Sequence, residues 1–346
     1  MRYRILGGSK LKVSEICLGT MTFGEQNTAA EAHQLLDLSM DYGVNFIDTA
    51  EMYPIPPRVE TYGRTEEILG GWLHKNNKRE KVILASKVVG RSDWLPHIRD
   101  GKACLDRKNI ELALENSLRR LRTDYLDLYQ LHWPDRPCNF FGELGYCHQK
   151  SNERVVDLEN TLAIMGDFVK TGKVRYIGVS NETPWGVMKY LQLSDKLGLP
   201  RIVSIQNPYN LLNRSFEVGL AEISMREKVG LLAYSPMAFG VLSGKYLAAQ
   251  PANARLTLFP AYQRYTNMAG LSATSEYVAL AQKFNIKPAQ MALAFVNRQD
   301  FVNSNIIGAT SIGQLRENLE SIDVQLPEEL LLLLDRVQKK NSNPCP

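Results

Sequence analysis

Residues 44–50 read VNFIDTA, and this short stretch sets a pattern that recurs along the chain. Its apolar residues end at Asp48, and Tyr53 follows in the next loop. Seven other runs are also apolar and also end in polar residues. They are ICLGT (16–20), VILASK (82–87), LDLYQLH (126–132), YIGVSN (176–181), VSIQNPY (203–209), LLAYSP (231–236) and NIIGAT (305–310). Because these runs are continuously apolar rather than alternating, they predict strands of a parallel sheet that is buried on both faces.

Amphipathic stretches with a helical period separate the runs. Four of them are AEAHQLLDLSMDYG, TEEILGGWLHKN, NIELALENSLRRLR and LENTLAIMGDFVKTG. Eight strands that alternate with helices predict an α/β fold of the (β/α)8 TIM barrel type. A doubly wound sheet is the alternative, but such a sheet usually carries a glycine-rich fingerprint after its first strand, and this chain has none there.

Three segments interrupt the repeat. Residues 2–14 predict an N-terminal β-hairpin that turns at Gly7 and Gly8 and covers the bottom of the barrel. Residues 133–154 predict a long loop after strand 4 of the barrel, and residues 241–270 predict another after strand 7. The sequence contains no low-complexity segment and no linker rich in proline and glycine, so we expect residues 1–346 to form a single domain.

The bulk composition excludes several classes of function. The chain has 346 residues and a net charge of +4, which is too small to favour nucleic acid or an anionic membrane surface as a partner. It has five cysteines and no C-x-x-C pair, so we expect a reducing, cytoplasmic location rather than a disulfide framework. No window approaches the length of apolar sequence that a transmembrane helix needs.

The polar residues at the ends of the predicted strands are the candidate active site. In barrels of this type the active site lies at the carboxyl ends of the strands. The residues found there are Asp48, Lys87, His132, Ser180, Asn181, Gln206 and Asn207. Each has an ordinary structural explanation when it is taken alone, such as a capped turn or a core histidine. Together with Tyr53, they predict that titratable groups from three successive strands converge at one opening.

The order and spacing of these motifs resemble the aldo-keto reductase superfamily. The matching segments are LGTMTFG (18–24), NFIDTAEMY (45–53), GRTEEILG (63–70), ILASK (83–87), LDLYQLHWP (126–134), GKVRYIGVSN (172–181), QNPYN (206–210), LLAYSPMAFGVLSGKY (231–246) and IIGATSIGQLRENL (306–319). They span nearly the whole chain in order. The sequence is most similar to the branch of bacterial Tas-type reductases and less similar to the potassium-channel β-subunit branch.

The resemblance implies a catalytic tetrad that reduces aldehydes or ketones with a nicotinamide cofactor. Tyr53 matches the proton donor of the family, and Lys87 matches the lysine whose charge lowers the pKa of that tyrosine. Asp48 matches the partner of the lysine, and His132 matches the group that orients the carbonyl oxygen. Family members bind the cofactor in an extended form across the barrel, so the resemblance also accounts for the missing glycine-rich fingerprint.

The resemblance further implies a binding site for NADPH or NADP+. Ser180, Asn181 and Gln206 match residues that bond the nicotinamide carboxamide, Tyr234 matches the ring that stacks on it, and Thr20 and Met21 line the same region, beside Asp48. The implied site also contains residues of the loop after strand 7, namely Ser235, Pro236, Met237 and Gly240. Lys245 and Arg255, in the same loop, match basic residues that cover the cofactor phosphates in the channel-subunit branch. Its adenosine end corresponds to Gly308, Thr310, Gln314, Glu317 and Asn318, where a helix start favours phosphate.

Two departures from the family pattern affect this interpretation. Many family members bind the 2′-phosphate with a Lys-Ser pair and an arginine, whereas Thr310, Ser311 and Gln314 occupy those positions here. The insertion PIPPRVETY (54–62) follows Tyr53 and is rich in proline, which predicts a stiff loop that reshapes the opening.

Two other classes of function stay open at this stage. A cofactor-sensing regulatory or interaction protein with slow residual turnover would keep the same tetrad. A metal-dependent barrel hydrolase would need a cluster of histidine and carboxylate ligands at the strand ends, and the sequence provides no such spacing. We therefore expect a small-molecule carbonyl substrate, no nucleic-acid or membrane partner and no metal, and the sequence does not indicate the oligomeric state.

Overall fold

The computed structural model describes residues 1–75, 77–148 and 156–346. Within these ranges, ten strands and twelve helices alternate along the chain, joined by short 3₁₀ turns. The strands are β1 (Tyr3–Ile5), β2 (Lys12–Ser14), β3 (Ile16–Gly19), β4 (Phe46–Asp48), β5 (Ile83–Val88), β6 (Leu126–Leu131), β7 (Val174–Ser180), β8 (Ile202–Pro208), β9 (Gly230–Tyr234) and β10 (Val302–Ile307).

The helices lie between and after the strands. They are α1 (Ala29–Asp41), α2 (Arg64–Lys75), α3 (Arg107–Leu121), α4 (Leu158–Lys170), α5 (Pro184–Leu197), α6 (Leu220–Glu227), α7 (Lys245–Ala248), α8 (Arg255–Leu258), α9 (Met268–Lys283), α10 (Pro288–Asn297), α11 (Ile312–Glu320) and α12 (Glu328–Lys340). The sequence encodes several of their ends: Thr28 and Glu31 form a capping box at the start of α1, and Gly198 ends α5 in a left-handed conformation.

Strands β3 to β10 close into a parallel barrel in chain order, with β10 pairing back to β3. This confirms the predicted (β/α)8 TIM barrel, and every one of the eight predicted runs overlaps a barrel strand. The strands are short because each run ends in the polar residues of the following loop. The main core lies between the barrel and the helices, and a second apolar cluster fills the barrel interior.

The N-terminal hairpin closes the bottom of the barrel, as predicted. Strands β1 and β2 pair antiparallel, and Leu6, Leu11 and Val13 join the apolar cluster inside the barrel. The turn passes so close to the start of β8 that a Cβ atom on Gly7 would lie 2.1 Å from the carbonyl oxygen of Val203. Gly7 also has a positive φ of 48°, so this position needs glycine for both reasons.

The two predicted long loops differ in structure. Residues 133–148, after β6, contain no helix or strand, and residues 149–154 of that predicted loop lie outside the described residues. The segment predicted as a loop over 241–270 is more ordered than expected. It contains a 3₁₀ turn at Ala238–Ser243 and the short helices α7 and α8, and α9 begins at Met268. Its turns are too short to give a helical period that sequence reading could detect.

Two adjacent glycines in α2 provide a matched test of this packing. A Cβ atom on Gly70 would lie 2.1 Å from the carbonyl oxygen of Arg120 in α3, whereas one on Gly71 would meet no atom within 4 Å. We predict that Gly70→Ala lowers the free energy of unfolding by about 1–3 kcal/mol, because the two helices are forced apart. We expect Gly71→Ala to raise it by about 0.5–1 kcal/mol, because alanine favours the helix. Urea unfolding of both variants measures the difference, and equal effects would contradict the close contact between α2 and α3.

Candidate active site

The register of the barrel brings three of the predicted residues to the same end. Asp48 is the last residue of β4, Lys87 lies in β5, and His132 directly follows β6. These three strands are consecutive neighbours, with Asp48 paired to Ala85 and Lys87 paired to Gln130. The carboxyl ends of parallel strands share one edge of the barrel, so these side chains meet there.

A buried ion pair forms the base of the site. The Lys87 ammonium nitrogen lies 2.5 Å from Asp48 Oδ2 and also donates to the carbonyl oxygen of Thr49 at 2.9 Å. Both charged side chains are buried. Burial alone would lower the pKa of Lys87, but Asp48 and Tyr53 together outweigh it and raise that pKa above its usual range. Lys87 therefore carries its charge inside the barrel.

The other oxygen of Asp48 is bonded to two amides from across the barrel. Gln130 Nε2 donates to Oδ1 at 3.2 Å, and Gln206 Nε2 donates to it at 2.9 Å. Gln206 was expected to bond a nicotinamide carboxamide, and its amide nitrogen is bonded to Asp48 instead. The three residues lie on the alternate strands β4, β6 and β8, which is how side-chain layers form inside such barrels.

Tyr53 lies above the ion pair, in the loop after β4. Its hydroxyl is 3.4 Å from Lys87 Nζ, and the ammonium group is 4.9 Å from the centre of its ring. Burial raises the pKa of Tyr53, and the Lys87 charge lowers it by a smaller amount, so the pKa lies above its usual range. The sequence-based expectation named the lowering by Lys87 and left out the larger effect of burial. Tyr53 therefore holds its proton at neutral pH.

His132 is also buried, beside Tyr53. The two rings meet edge to face, with centroids 5.9 Å apart. Burial and the Lys87 charge lower the pKa of His132 well below its usual range, so the imidazole is neutral at pH 7. Its Nδ1 atom is buried and has no hydrogen-bond partner among the described residues. The main-chain carbonyl of His132 accepts a bond from Asn181 at 2.9 Å, which ties the histidine to β7.

A cavity of about 740 Å³ runs from this cluster across the top of the barrel. Its volume is in the range of sites that hold small molecules and cofactors. Two of the predicted site residues do not line it: Lys87 is buried behind Tyr53 and Asp48, and Asn207 donates to the main-chain carbonyl of Glu182. All the others do. These are Asp48, Tyr53, His132, Thr20, Met21, Ser180, Asn181, Gln206, Tyr234, Ser235, Pro236, Met237, Gly240, Lys245, Arg255, Gly308, Thr310, Gln314, Glu317 and Asn318.

The middle of the cavity is held by a chain of hydrogen bonds between β7, β8 and β9. The Tyr234 hydroxyl donates to Asn181 Oδ1 at 2.6 Å, and Ser180 Oγ donates to the main-chain carbonyl of Gln206 at 2.8 Å. Asn181 adopts a left-handed conformation, with φ 53°, which turns its amide toward this chain. These contacts fix the polar groups that face the cavity.

The far end of the cavity is the start of helix α11. Ser311 caps the helix by accepting a bond from the main-chain nitrogen of Gln314, and the Gln314 side chain accepts bonds from Thr310. Asn318 donates to the carbonyl of Gly308 at 3.2 Å. The arrangement is a capped helix start, and it is neutral apart from Glu317, whose carboxylate pairs with Lys287.

Three basic side chains line the cavity between these ends, Lys245, Arg255 and Arg264, and Arg264 donates to the main-chain carbonyl of Pro346. Lys245 and Arg255 lie in the segment after β9, and neither has a carboxylate partner among the described residues. Burial lowers the pKa of both side chains, and the Arg255 charge further lowers that of Lys245. The Arg255 charge also lowers the pKa of Tyr53. An anion placed between Lys245 and Arg255 would relieve their repulsion.

Sequence reading missed two residues that the structure places at the site, Gln130 and Trp94. Gln130 contacts Asp48, and Trp94 stacks on Trp133 in an aromatic wall of the cavity that also includes Phe141. Trp133 and Phe141 were among the aromatic residues that the sequence offered for an apolar substrate pocket. Gln130 could have been found, because it is a polar residue inside the apolar run LDLYQLH. Trp94 lies in a loop without any periodic pattern, so the sequence carries no signal for it.

Among the described residues, no group of three or more histidine, cysteine, aspartate or glutamate side chains is arranged to hold a metal ion. None of the helices in the same ranges combines the length and the apolar character that crossing a membrane requires.

The buried environment of His132 predicts how its imidazole titrates. We expect its imidazole signal in NMR spectra to stay that of a neutral ring as the pH falls through the usual range of histidine, ~6.5, because burial and Lys87 both oppose the charge. The same residue in the urea-unfolded chain should titrate in the usual range, and Lys87→Met should raise its pKa while leaving the effect of burial. Titration of His132 near 6.5 in the folded protein would contradict the buried arrangement.

Comparison with known proteins gives the family. The family model described as Aldo/keto reductase family matches residues 15–339. The chain is 54% identical to Protein tas of Escherichia coli strain K12, over the full length of both chains. It is 30% identical to a probable voltage-gated potassium channel subunit beta of Arabidopsis thaliana, over 98% of this chain and 96% of that protein. It is also 29% identical to an L-glyceraldehyde 3-phosphate reductase of Escherichia coli strain K12, over 93% of this chain and 88% of that protein.

These matches confirm the resemblance inferred from the motifs. They agree with the closed barrel and with the oxidoreductase class that the family name denotes. The chain belongs to the aldo/keto reductase family.

Proposed function

We propose that this protein reduces aldehydes or ketones to alcohols with NADPH, with Tyr53 as the proton donor. The observation that carries the proposal is the arrangement at the base of the cavity, where the Tyr53 hydroxyl lies 3.4 Å from a buried lysine that is itself paired with Asp48. Membership in the aldo/keto reductase family and the similarity to a protein named as a reductase support the same class of reaction.

The residues along the cavity fit an extended dinucleotide. At one end, Ser180, Asn181 and Gln206 line the wall where a carboxamide would lie, and the Tyr234 ring forms part of the same wall. In the middle, Lys245 and Arg255 are cations without carboxylate partners among the described residues, as an anionic diphosphate requires. At the other end, the start of α11 favours negative charge through its free main-chain N–H groups.

When bound, the nicotinamide supplies a hydride to the carbonyl carbon of the substrate, and the chain supplies the proton. The Tyr53 hydroxyl donates that proton to the carbonyl oxygen, and Lys87 stabilises the phenolate that remains. His132, neutral and buried beside Tyr53, directs a ring nitrogen at the same oxygen and orients the substrate. Asp48 holds Lys87 in its charged form. The aromatic wall of Trp94, Trp133 and Phe141 excludes water around the reacting carbonyl.

The alternative function is that of a cofactor-sensing interaction protein with slow turnover. The similarity to a probable potassium channel subunit beta favours it, and the site would be the same in both cases. Turnover separates the two: with NADPH and 4-nitrobenzaldehyde, the proposed enzyme should turn over at a rate of about 1 s⁻¹ or faster, which is the usual range for enzymes. A rate orders of magnitude below that range would favour the alternative.

Replacement of the proton donor tests the mechanism. We predict that Tyr53→Phe lowers the rate of carbonyl reduction by about 10²–10⁴, which is the usual contribution of a positioned general acid. The affinity for NADPH should barely change, because the phenyl ring keeps the wall of the cavity. Steady-state rates and fluorescence titration with NADPH measure the two effects separately. Reduction near the parent rate would mean that another group donates the proton.

Replacement of Lys245 and Arg255, two of the cations that line the cavity, tests the preference for NADPH. The 2′-phosphate distinguishes NADPH from NADH, and a charge-assisted hydrogen bond to it is worth about 1.5–3 kcal/mol, or roughly ten- to a hundredfold in affinity. We expect Arg255→Ala or Lys245→Ala to weaken NADPH by about that factor and to leave NADH nearly unchanged. If both cofactors weaken equally, the two side chains act on the shared diphosphate, and the preference would have to come from Arg316 and the helix start near Thr310.

A further inference from the structure

A second buried ion pair lies directly behind Tyr53, and neither of its members lines the cavity. Glu51 is two residues before Tyr53 and is completely buried. Arg99 reaches it from the loop after β5 with two parallel bonds, from Nη1 to Oε2 at 2.6 Å and from Nη2 to Oε1 at 2.9 Å. A bidentate pair of this kind fixes geometry as well as charge.

Glu51 ties the loop that carries Tyr53 to the strand end that carries Lys87. Its main-chain nitrogen donates to the carbonyl of Lys87 at 3.2 Å, and its carboxylate accepts from the main-chain nitrogen of Val89 at 2.8 Å. The residue therefore bonds on both sides of Val88, at the carboxyl end of β5. Tyr62, from the insertion after Tyr53, adds a fourth donor to the carboxylate at 3.3 Å.

The backbone conformation at Arg99, which makes this contact, is uncommon. Arg99 and the next residue, Asp100, have positive φ angles of 52° and 56°, a conformation that is uncommon for residues other than glycine. Such strain persists where the surrounding structure fixes it, and it is often found at functional sites. The chain neighbours of the pair, Ala50 and Met52 beside Glu51 and Ile98 beside Arg99, belong to one buried apolar cluster.

The distance that depends on this arrangement is the one from Tyr53 to Lys87. At 3.4 Å it is at the long limit of a hydrogen bond, so a small shift of the loop against β5 would break it. Glu51 bonds the loop to the carboxyl end of β5 through both its main-chain nitrogen and its carboxylate. The charged groups that act on the pKa of Tyr53 are Lys87, Asp48 and Arg255, and the neutral His132 ring packs against it.

We infer that Glu51 and Arg99 are a positioning pair, which holds the Tyr53 hydroxyl within reach of Lys87 without touching substrate or cofactor. The inference rests on the proposed function, because it concerns the proton donor of that reaction. It assigns Glu51 and Arg99 a role that is separate from the four residues of the tetrad. The pair acts on the rate through geometry, and it leaves the binding surfaces of the cavity unchanged.

The chain offers a matched control for the test. Asp127 is also a buried carboxylate, it pairs with Arg79 and Arg175 at 2.8 Å each, and it also accepts from a main-chain nitrogen of β5, that of Leu84 at 2.9 Å. Leu84 lies near the amino end of the strand, away from the cavity. Asp127→Asn therefore removes the same kind of interaction without touching the segment around Tyr53.

The experiment compares Glu51→Gln with Asp127→Asn. We expect Glu51→Gln to lower kcat for 4-nitrobenzaldehyde by about 10–100-fold, since a misplacement of about 1 Å can cost ~10²-fold. KM and the Kd for NADPH should stay within about threefold of the parent. Asp127→Asn should lower the midpoint of urea unfolding about as much as Glu51→Gln does, but it should keep the kcat of the parent. Arg99→Lys keeps the charge but not the paired bonds, so it should fold and lie between the parent and Glu51→Gln in kcat.

A second readout does not depend on turnover. In protein labelled with ¹³Cζ-tyrosine and free of cofactor, the pKa of Tyr53 should rise in Glu51→Gln, because the hydroxyl loses its contact with Lys87, and it should not change in Asp127→Asn. Equal kcat in Glu51→Gln and Asp127→Asn, or an unchanged or lower pKa of Tyr53 in Glu51→Gln, would overturn the inference. If the parent protein shows no turnover at all, the proposed function fails, and the Tyr53 titration alone still decides whether the pair positions the hydroxyl.

Discussion

The ion pair between Asp48 and Lys87 is the constraint on which the site depends. An ammonium group without a partner would lose its charge in the barrel interior, because desolvation lowers the pKa of a buried lysine. A carboxylate 2.5 Å away reverses that effect, and breaking such a buried pair typically costs about 3–5 kcal/mol. The pair therefore requires that β4 and β5 be neighbours in a fixed register. It also explains why Gln130 and Gln206 direct their amides inward, since Asp48 Oδ1 would otherwise be an unsatisfied buried acceptor.

The proposed proton donor, Tyr53, is subject to two opposing effects on the pKa of its hydroxyl. Burial of Tyr53 raises its pKa, and the Lys87 charge lowers it by less. The outcome is a hydroxyl that keeps its proton at neutral pH, with a cation already in place to stabilise the phenolate once the proton has left. The burial that excludes water from the site therefore also fixes the resting state of the donor. The neutral form of His132 has the same two causes, because burial and Lys87 both disfavour its charge.

The sequence predicted the barrel and the strand ends at which Asp48, Lys87 and His132 lie, because both follow from simple patterns. Each apolar run overlaps a strand, and polar residues such as Asp48 lie where the run ends, so the strand ends could be identified directly. The sequence did not predict the contacts that depend on loop geometry. Trp94 and Arg99 lie in a segment without a period, and their positions are set by tertiary packing and by positive φ angles that no local pattern specifies. Residues 241–270 were expected to be a plain loop for the same reason.

The most direct test of the account is the titration of Tyr53 in the cofactor-free protein, with and without the buried pair. The double variant Asp48→Asn/Lys87→Met removes both charges together and leaves no buried charge unpaired. With ¹³Cζ-labelled tyrosine and Tyr53→Phe for assignment, Tyr53 of the parent should titrate above the usual range of tyrosine, ~10, and the double variant should titrate higher still. A parent Tyr53 that ionises near neutral pH, or a pKa that is the same in the parent and the double variant, would contradict the claim that the pair tunes the proton donor.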